Sequence, residues 1–139
     1  MRGLKKEFQP KEDLSLPQHI HLVGAGGVHM SAIGQILIAK GHILSGSDLS
    51  ISDYTKKLST LGAEIFLGHN RNNIGQAELL VTTAAVKNDN PELIAAKEKS
   101  IPIMLRAEMV QILTSEYELI AIAGSHGKTT TTGLIALIL

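Results

Sequence analysis

The stretch HIHLVGAGGVHMSAIGQILIAKGHILSGSD, His19–Asp48, decides the fold. It opens with a β-type run, His19–Val23, that breaks into Gly24, Ala25, Gly26 and Gly27. From Val28 the apolar residues Met30, Ile33, Leu37 and Ile38 recur at helical spacing. Gly41 ends that helix, His42–Ser47 reads as a second strand, and Asp48 stands at its carboxyl end. The unit is strand, glycine turn, helix, strand. The same rhythm runs on through a helix over Ser52–Leu61, a strand at Ala63–Leu67 and a buried strand at Glu78–Thr83. A helix then starts at Asn90, Pro91 and Glu92, with Asn as cap, Pro in the first turn and Glu where the helix dipole favours an acid. A strand at Ile101–Leu105 and a short helix over Ala107–Leu113 follow, then a strand at Glu118–Ala123 that runs into GSHGKTTTT and the apolar Gly133–Leu139. Strands alternating with helices predict an α/β fold, a Rossmann-like parallel sheet with flanking helices, whose ligands collect at the carboxyl ends of the strands.

Composition fits a buried sheet covered by helices. Of 139 residues, 44% are apolar, but only two Phe, two Tyr and no Trp are among them, so Ile, Leu, Val and Ala fill the core. Thirteen basic residues balance thirteen acidic ones. No global positive field is available to hold a nucleic-acid backbone or an anionic membrane, and any anion has to be bound locally. The absence of cysteine removes disulfides, thiolate chemistry and Cys-based zinc sites. Residues 1–15 are polar and read as a flexible leader; neither a signal peptide nor a membrane span is evident, so a cytoplasmic protein is expected.

Two glycine-rich turns carry the chemistry. GAGGVHMS, Gly24–Ser31, follows a strand and opens a helix, which suits close approach to a diphosphate at a helix amino terminus. The dinucleotide fingerprint asks for a third Gly where this chain has His29, so tight helix–strand packing should be altered and a nicotinamide cofactor is disfavoured. Asp48 could bind a ribose hydroxyl, or serve only as a cap or turn residue. His69 could contact a ligand or be structurally hydrogen-bonded, and Thr82 and Thr83 could satisfy backbone groups at a strand end. The acids Glu108, Glu116 and Glu118 form no general-acid/base pair and read as surface charges.

The second turn, AGSHGKTTTT, Ala123–Thr132, is a shortened phosphate loop, since Ile122 stands where the usual spacing has Gly. Gly124, Ser125, His126, Gly127, Lys128, Thr129 and Thr130 are its candidate ATP-binding residues. Backbone amides would cradle phosphate, Lys128 would stabilise the outer phosphates as the candidate catalytic residue, and the Thr129 hydroxyl would bind Mg. His126 receives no proton-transfer role.

The blocks GAGGVHMS, SGSDLS, LGHN, VTTAAVKNDNPE, LRAEM and AGSHGKTTTT, in that order, resemble the Mur ligase family. That resemblance implies a domain over residues 16–113 that binds UDP-N-acetylmuramate, with Gly24, Ala25, Gly26 and Gly27 facing the diphosphate and Asp48, His69, Thr83 and Ala84 near the uridine. Residues 114–139 would then be the linker strand, phosphate loop and first helix of a P-loop ATP-binding domain. The reaction implied is ATP-dependent addition of L-alanine to UDP-N-acetylmuramate in peptidoglycan precursor synthesis, with Mg as the metal. The chain reads as a fragment that binds nucleotides without completing that reaction. The alternatives are a peptide-adding ligase of the same family, a non-enzymatic nucleotide-sensing module and an NAD-binding oxidoreductase domain.

Overall fold

Short strands without room for their own cores have to pair, and here five pair in parallel. The computed structural model describes residues 15–115. The elements are β1 (His19–Val23), α1 (Val28–Ala39), β2 (Ile43–Asp48), α2 (Asp53–Thr60), β3 (Glu64–Leu67), a 3-10 turn (Arg71–Ile74), β4 (Leu79–Thr82), α3 (Pro91–Glu98), β5 (Ile103–Leu105) and α4 (Arg106–Thr114). The sheet order is β3-β2-β1-β4-β5 and every pairing is parallel. The expected α/β sheet is therefore present, with boundaries within two residues of the sequence reading. The strand expected at Glu118–Ala123, the phosphate loop and the Gly133–Leu139 segment lie outside the described residues.

Alternation along the strands sorts the core into two layers. Ile20, Leu22, Leu44, Leu79 and Val81 face one side, where Met30, Ile33 and Leu37 of α1, Leu58 of α2 and Met109 and Leu113 of α4 cover them. Val23 and Leu80 face the other side, against Ile74 of the 3-10 turn and Leu93, Ala95 and Ala96 of α3.

Local signals set the helix ends. Ser52 and Thr55 cap α2 reciprocally, Thr55 N donating to Ser52 Oγ at 3.3 Å and Ser52 N to Thr55 Oγ1 at 2.8 Å. Asn90 Oδ1 accepts from Glu92 N at 2.9 Å and Pro91 occupies the first turn of α3. Gly41, at φ +92°, closes α1 in the left-handed region. One expectation needs correcting. His29 does not disturb helix–strand packing, because it is exposed on the first turn of α1; the close approach comes at Gly34, where a Cβ would lie 2.8 Å from Leu58 Cδ2 and 3.0 Å from Leu44 Cδ2.

Candidate functional site

The chain passes from β1 outward to β2 and β3, then crosses back to β4 on the other side of β1. That reversal leaves a crevice at the carboxyl ends of β1 and β4, the position where open α/β sheets hold ligands. The glycine turn stands at its edge. Leu22 pairs with Val81, so the continued register sets Thr82 beside Val23 and Thr83 beside Gly24, with Ala84 just beyond and exposed.

The turn is held by β2. Gly24 N and Ala25 N both donate to the Ser47 carbonyl, at 2.8 and 2.9 Å, and Gly27 N donates to Gly24 O at 3.3 Å. Gly26 N donates to Asp48 Oδ2 at 2.8 Å, and Asp48 Oδ1 accepts from Ser50 N at 3.2 Å. Asp48 therefore latches the turn as well as standing at its rim. Gly24 sits at φ +84°, which favours glycine, and a Cβ on Gly26 would fall 2.8 Å from Asp48 Oδ2. With the four turn amides engaged, the donors left for an anion among the described residues are those of Val28, His29 and Met30. These first-turn amides have no carbonyl one turn back in α1, and Ser31 N is the first to find one, donating to Gly27 O at 2.8 Å.

Beside the turn lies a buried polar cluster that the sequence reading missed. Glu92 is 0% exposed. Its Oε2 accepts from Ser47 Oγ at 2.6 Å and lies 3.1 Å from His69 Nδ1; its Oε1 accepts from Asn73 Nδ2 at 2.7 Å and lies 3.6 Å from His21 Nε2. His21 Nδ1 in turn meets Ser45 Oγ at 2.8 Å. Burial alone would push the Glu92 carboxyl up, but the nearby His21 ring and the Ser47 and Asn73 hydrogen bonds outweigh it and hold the group at about 2. The signal available in sequence was alternation. His21, Ser45 and Ser47 share one face of two neighbouring strands, where a buried parallel sheet normally carries Val or Ile.

Of the site residues read from sequence, Gly24, Ala25, Gly26, Gly27 and Asp48 are brought into direct contact, and His69 is tied to them through Ser47. His69 is structurally hydrogen-bonded, with 18% of its side chain exposed. Thr82 Oγ1, which could have satisfied a backbone group at the strand end, is buried with no hydrogen-bond partner among the described residues. Glu108 is exposed and accepts from Leu105 N at the start of α4. Gly124, Ser125, His126, Gly127, Lys128, Thr129 and Thr130 lie outside the described residues. Among the described residues no group of three or more His, Cys, Asp or Glu side chains is placed to hold a metal, and no helix is long and apolar enough to cross a membrane.

A cavity of about 560 Å³ opens elsewhere, lined by His19, Ile43, Glu64, Phe66 and Asn72 among others. Its strand residues come mainly from the amino-terminal parts of β1, β2 and β3, away from the turn.

The comparisons with known proteins bear on this geometry. The model of the Mur ligase family, catalytic domain, matches residues 19–118. A UDP-N-acetylmuramate–L-alanine ligase of Alkaliphilus metalliredigens is 55% identical over 123 residues, which are 88% of this chain and 27% of that protein. The crystal structure of the UDP-N-acetylmuramate–alanine ligase of Thermotoga maritima superposes with a TM-score of 0.80 at 35% identity, covering 85% of this chain and 28% of that one. A murein peptide ligase from Psychrobacter arcticus superposes with a TM-score of 0.82 at 27% identity, covering 88% and 26%. The chain thus spans about a quarter of the length of the relatives it matches.

Proposed function

Since the chain belongs to the Mur ligase family, we propose that residues 16–113 bind UDP-N-acetylmuramate for an ATP-dependent ligase that joins it to L-alanine in peptidoglycan precursor synthesis in the cytoplasm. The observation that carries this reading is the 55% identity to a UDP-N-acetylmuramate–L-alanine ligase over 123 residues. The murein peptide ligase superposes about equally well but is only 27% identical, so alanine is the proposed acceptor. Ligase turnover is proposed for a protein of the relatives' length, and sugar-nucleotide binding for the chain described here.

The site geometry supports such a ligand. A diphosphate at the start of α1 would meet the free amides of Val28, His29 and Met30 and the positive end of the helix dipole. Gly24, Ala25, Gly26 and Gly27 provide the close backbone approach, while the uridine lies toward Asp48, His69, Thr83 and Ala84. The ATP end is assigned to Gly124–Thr130. There Ser125, His126 and Gly127 amides would cradle phosphate, Lys128 would balance charge on the outer phosphates and Thr129 would hold Mg.

Calorimetric titration with UDP-N-acetylmuramate, with NAD as comparator, tests the reading. Saturable binding that Gly26→Asp abolishes is expected, since the added carboxylate would crowd and repel Asp48 beside the diphosphate. A folded chain that binds NAD and not the sugar nucleotide would overturn it.

A further inference from the structure

An ionised carboxylate can only accept hydrogen bonds. Every group that bonds to the buried Glu92 has therefore to bring a proton. Ser47 Oγ brings one at 2.6 Å and Asn73 Nδ2 another at 2.7 Å. His69 Nδ1 lies between two oxygens, Glu92 Oε2 at 3.1 Å and Ser47 Oγ at 3.0 Å. Since the Ser47 proton is directed at Glu92, its oxygen is free to accept from the ring. Both neighbours of Nδ1 are acceptors, so Nδ1 carries the hydrogen. Nε2 makes no hydrogen bond among the described residues, and part of the ring remains open.

The same serine controls the turn. While its hydroxyl bonds to Glu92, its carbonyl holds Gly24 N and Ala25 N. Glu92 thus reaches both halves of the candidate site without touching a ligand itself. We infer that Glu92 is a positioning residue, which with Ser47 fixes His69 as the Nδ1-protonated tautomer and leaves Nε2 as the ring's acceptor for a hydroxyl or imide N–H of the bound nucleoside. This rests on the sugar-nucleotide reading for the ligand, but not for the tautomer. Among the described residues the titratable groups of this cluster, besides His69, are Glu92 from α3 and His21 from β1, which faces Glu92, with Ser47 and Asn73 as neutral donors from β2 and the 3-10 turn.

The tautomer is read directly by long-range nitrogen–proton NMR on the labelled chain at neutral pH. Nδ1 of His69 should have the shift of a protonated ring nitrogen and Nε2 that of a bare one. An Nε2-protonated or doubly protonated ring would overturn the inference, with no variant needed and whether or not UDP-N-acetylmuramate binds. In Glu92→Gln the amide NH2 can donate, so the tautomer should become mixed or reversed in a chain whose backbone spectrum is otherwise kept; an unchanged tautomer in such a chain counts against Glu92. For UDP-N-acetylmuramate, Glu92→Gln and His69→Ala should each weaken binding about tenfold, and the double variant also about tenfold, because both remove one contact. A hundredfold loss in the double variant would mean independent effects and would sink the coupling. The 2′-deoxy, 3′-deoxy and N3-methyl forms of the ligand identify the donor: one should lose the same factor, and loss from none overturns the proposal. If the unaltered chain fails to bind the sugar nucleotide at all, the functional reading falls while the tautomer measurement still decides the inference.

Discussion

Gly26 shows how little freedom the site leaves to a single residue. A Cβ there would stand 2.8 Å from Asp48 Oδ2, 2.9 Å from Asp48 Cγ and 3.2 Å from Thr55 Cγ2, so Gly26→Ala has to push the carboxylate off the amide it latches. Losing that charge-assisted hydrogen bond should cost on the order of 2 kcal/mol in urea unfolding. A stability equal to that of the unaltered chain would mean that Asp48 does not hold the turn. Glu92 acts on a different variable. Its carboxyl is held at about 2 against an ordinary 4.5, so the folded form gives up the proton more readily than the unfolded one. The stability this contributes is fully present above the ordinary value and is lost as pH falls from there through about 2. The span corresponds to a contribution on the order of 3 kcal/mol. Urea unfolding followed from pH 6 down to pH 2.5 should show a steep acid loss that Glu92→Gln largely flattens, though the variant begins less stable at pH 6. An acid slope equal in both chains would remove Glu92 as its source.

At the scale of the element, α1 tests whether packing or propensity decides. In an exposed helix Gly→Ala stabilises by about 1 kcal/mol. At Gly34 the added methyl meets Leu58 Cδ2 at 2.8 Å, Leu44 Cδ2 at 3.0 Å and Leu22 Cδ1 at 3.1 Å, three leucines of the core. Overpacking of this kind costs about 1–3 kcal/mol, so Gly34→Ala should come out neutral to destabilising by about 2 kcal/mol in chemical denaturation. A gain of stability would show that α1 can lift from the sheet at little cost. The strands and helices were legible from local signals that differ from one to the next: Met30, Ile33 and Leu37 recur along α1 and Gly41 stops it, while Asn90 and Pro91 start α3. The 3-10 turn at Arg71–Ile74 was not, since four residues are too few for a period and only Asn70, whose side chain accepts from Asn72 N, marks it. Glu92 was read as an acid favoured by the helix dipole, and it does stand in the first turn of α3. Nothing local told that the same first turn would be driven against Ser47 of β2, His69 beyond β3 and Asn73 of the 3-10 turn, which wait as donors; that is a property of the assembled sheet.

The whole sheet offers a ligand two ends, and they differ in kind. The end carrying the glycine turn combines a helix amino terminus, the Asp48 latch and the Glu92 cluster. At the other lies the 560 Å³ cavity bordered by His19, Glu64 and Asn72. Topology favours the turn, because parallel strands that diverge at a change of direction leave free amides and no side chains to fill the gap, whereas the cavity is an incompletely covered piece of sheet face over β2 and β3. Hydrogen exchange separates the two. With saturating UDP-N-acetylmuramate, protection should rise over Gly24–Ser31, Asp48–Ser50 and Gly68–Asn70 and in Thr83–Val86, with no change over Asn72–Ala77. Glu64→Arg, on the exposed rim of the cavity, should bind the sugar nucleotide within twofold of the unaltered chain. His29→Asp, exposed on the first turn of α1, should weaken binding about tenfold, since it sets a negative charge among the amides assigned to the diphosphate. Protection confined to Asn72–Ala77, or a loss from Glu64→Arg that exceeds the loss from His29→Asp, would move the ligand to the cavity and with it the reading of the glycine turn as a phosphate site.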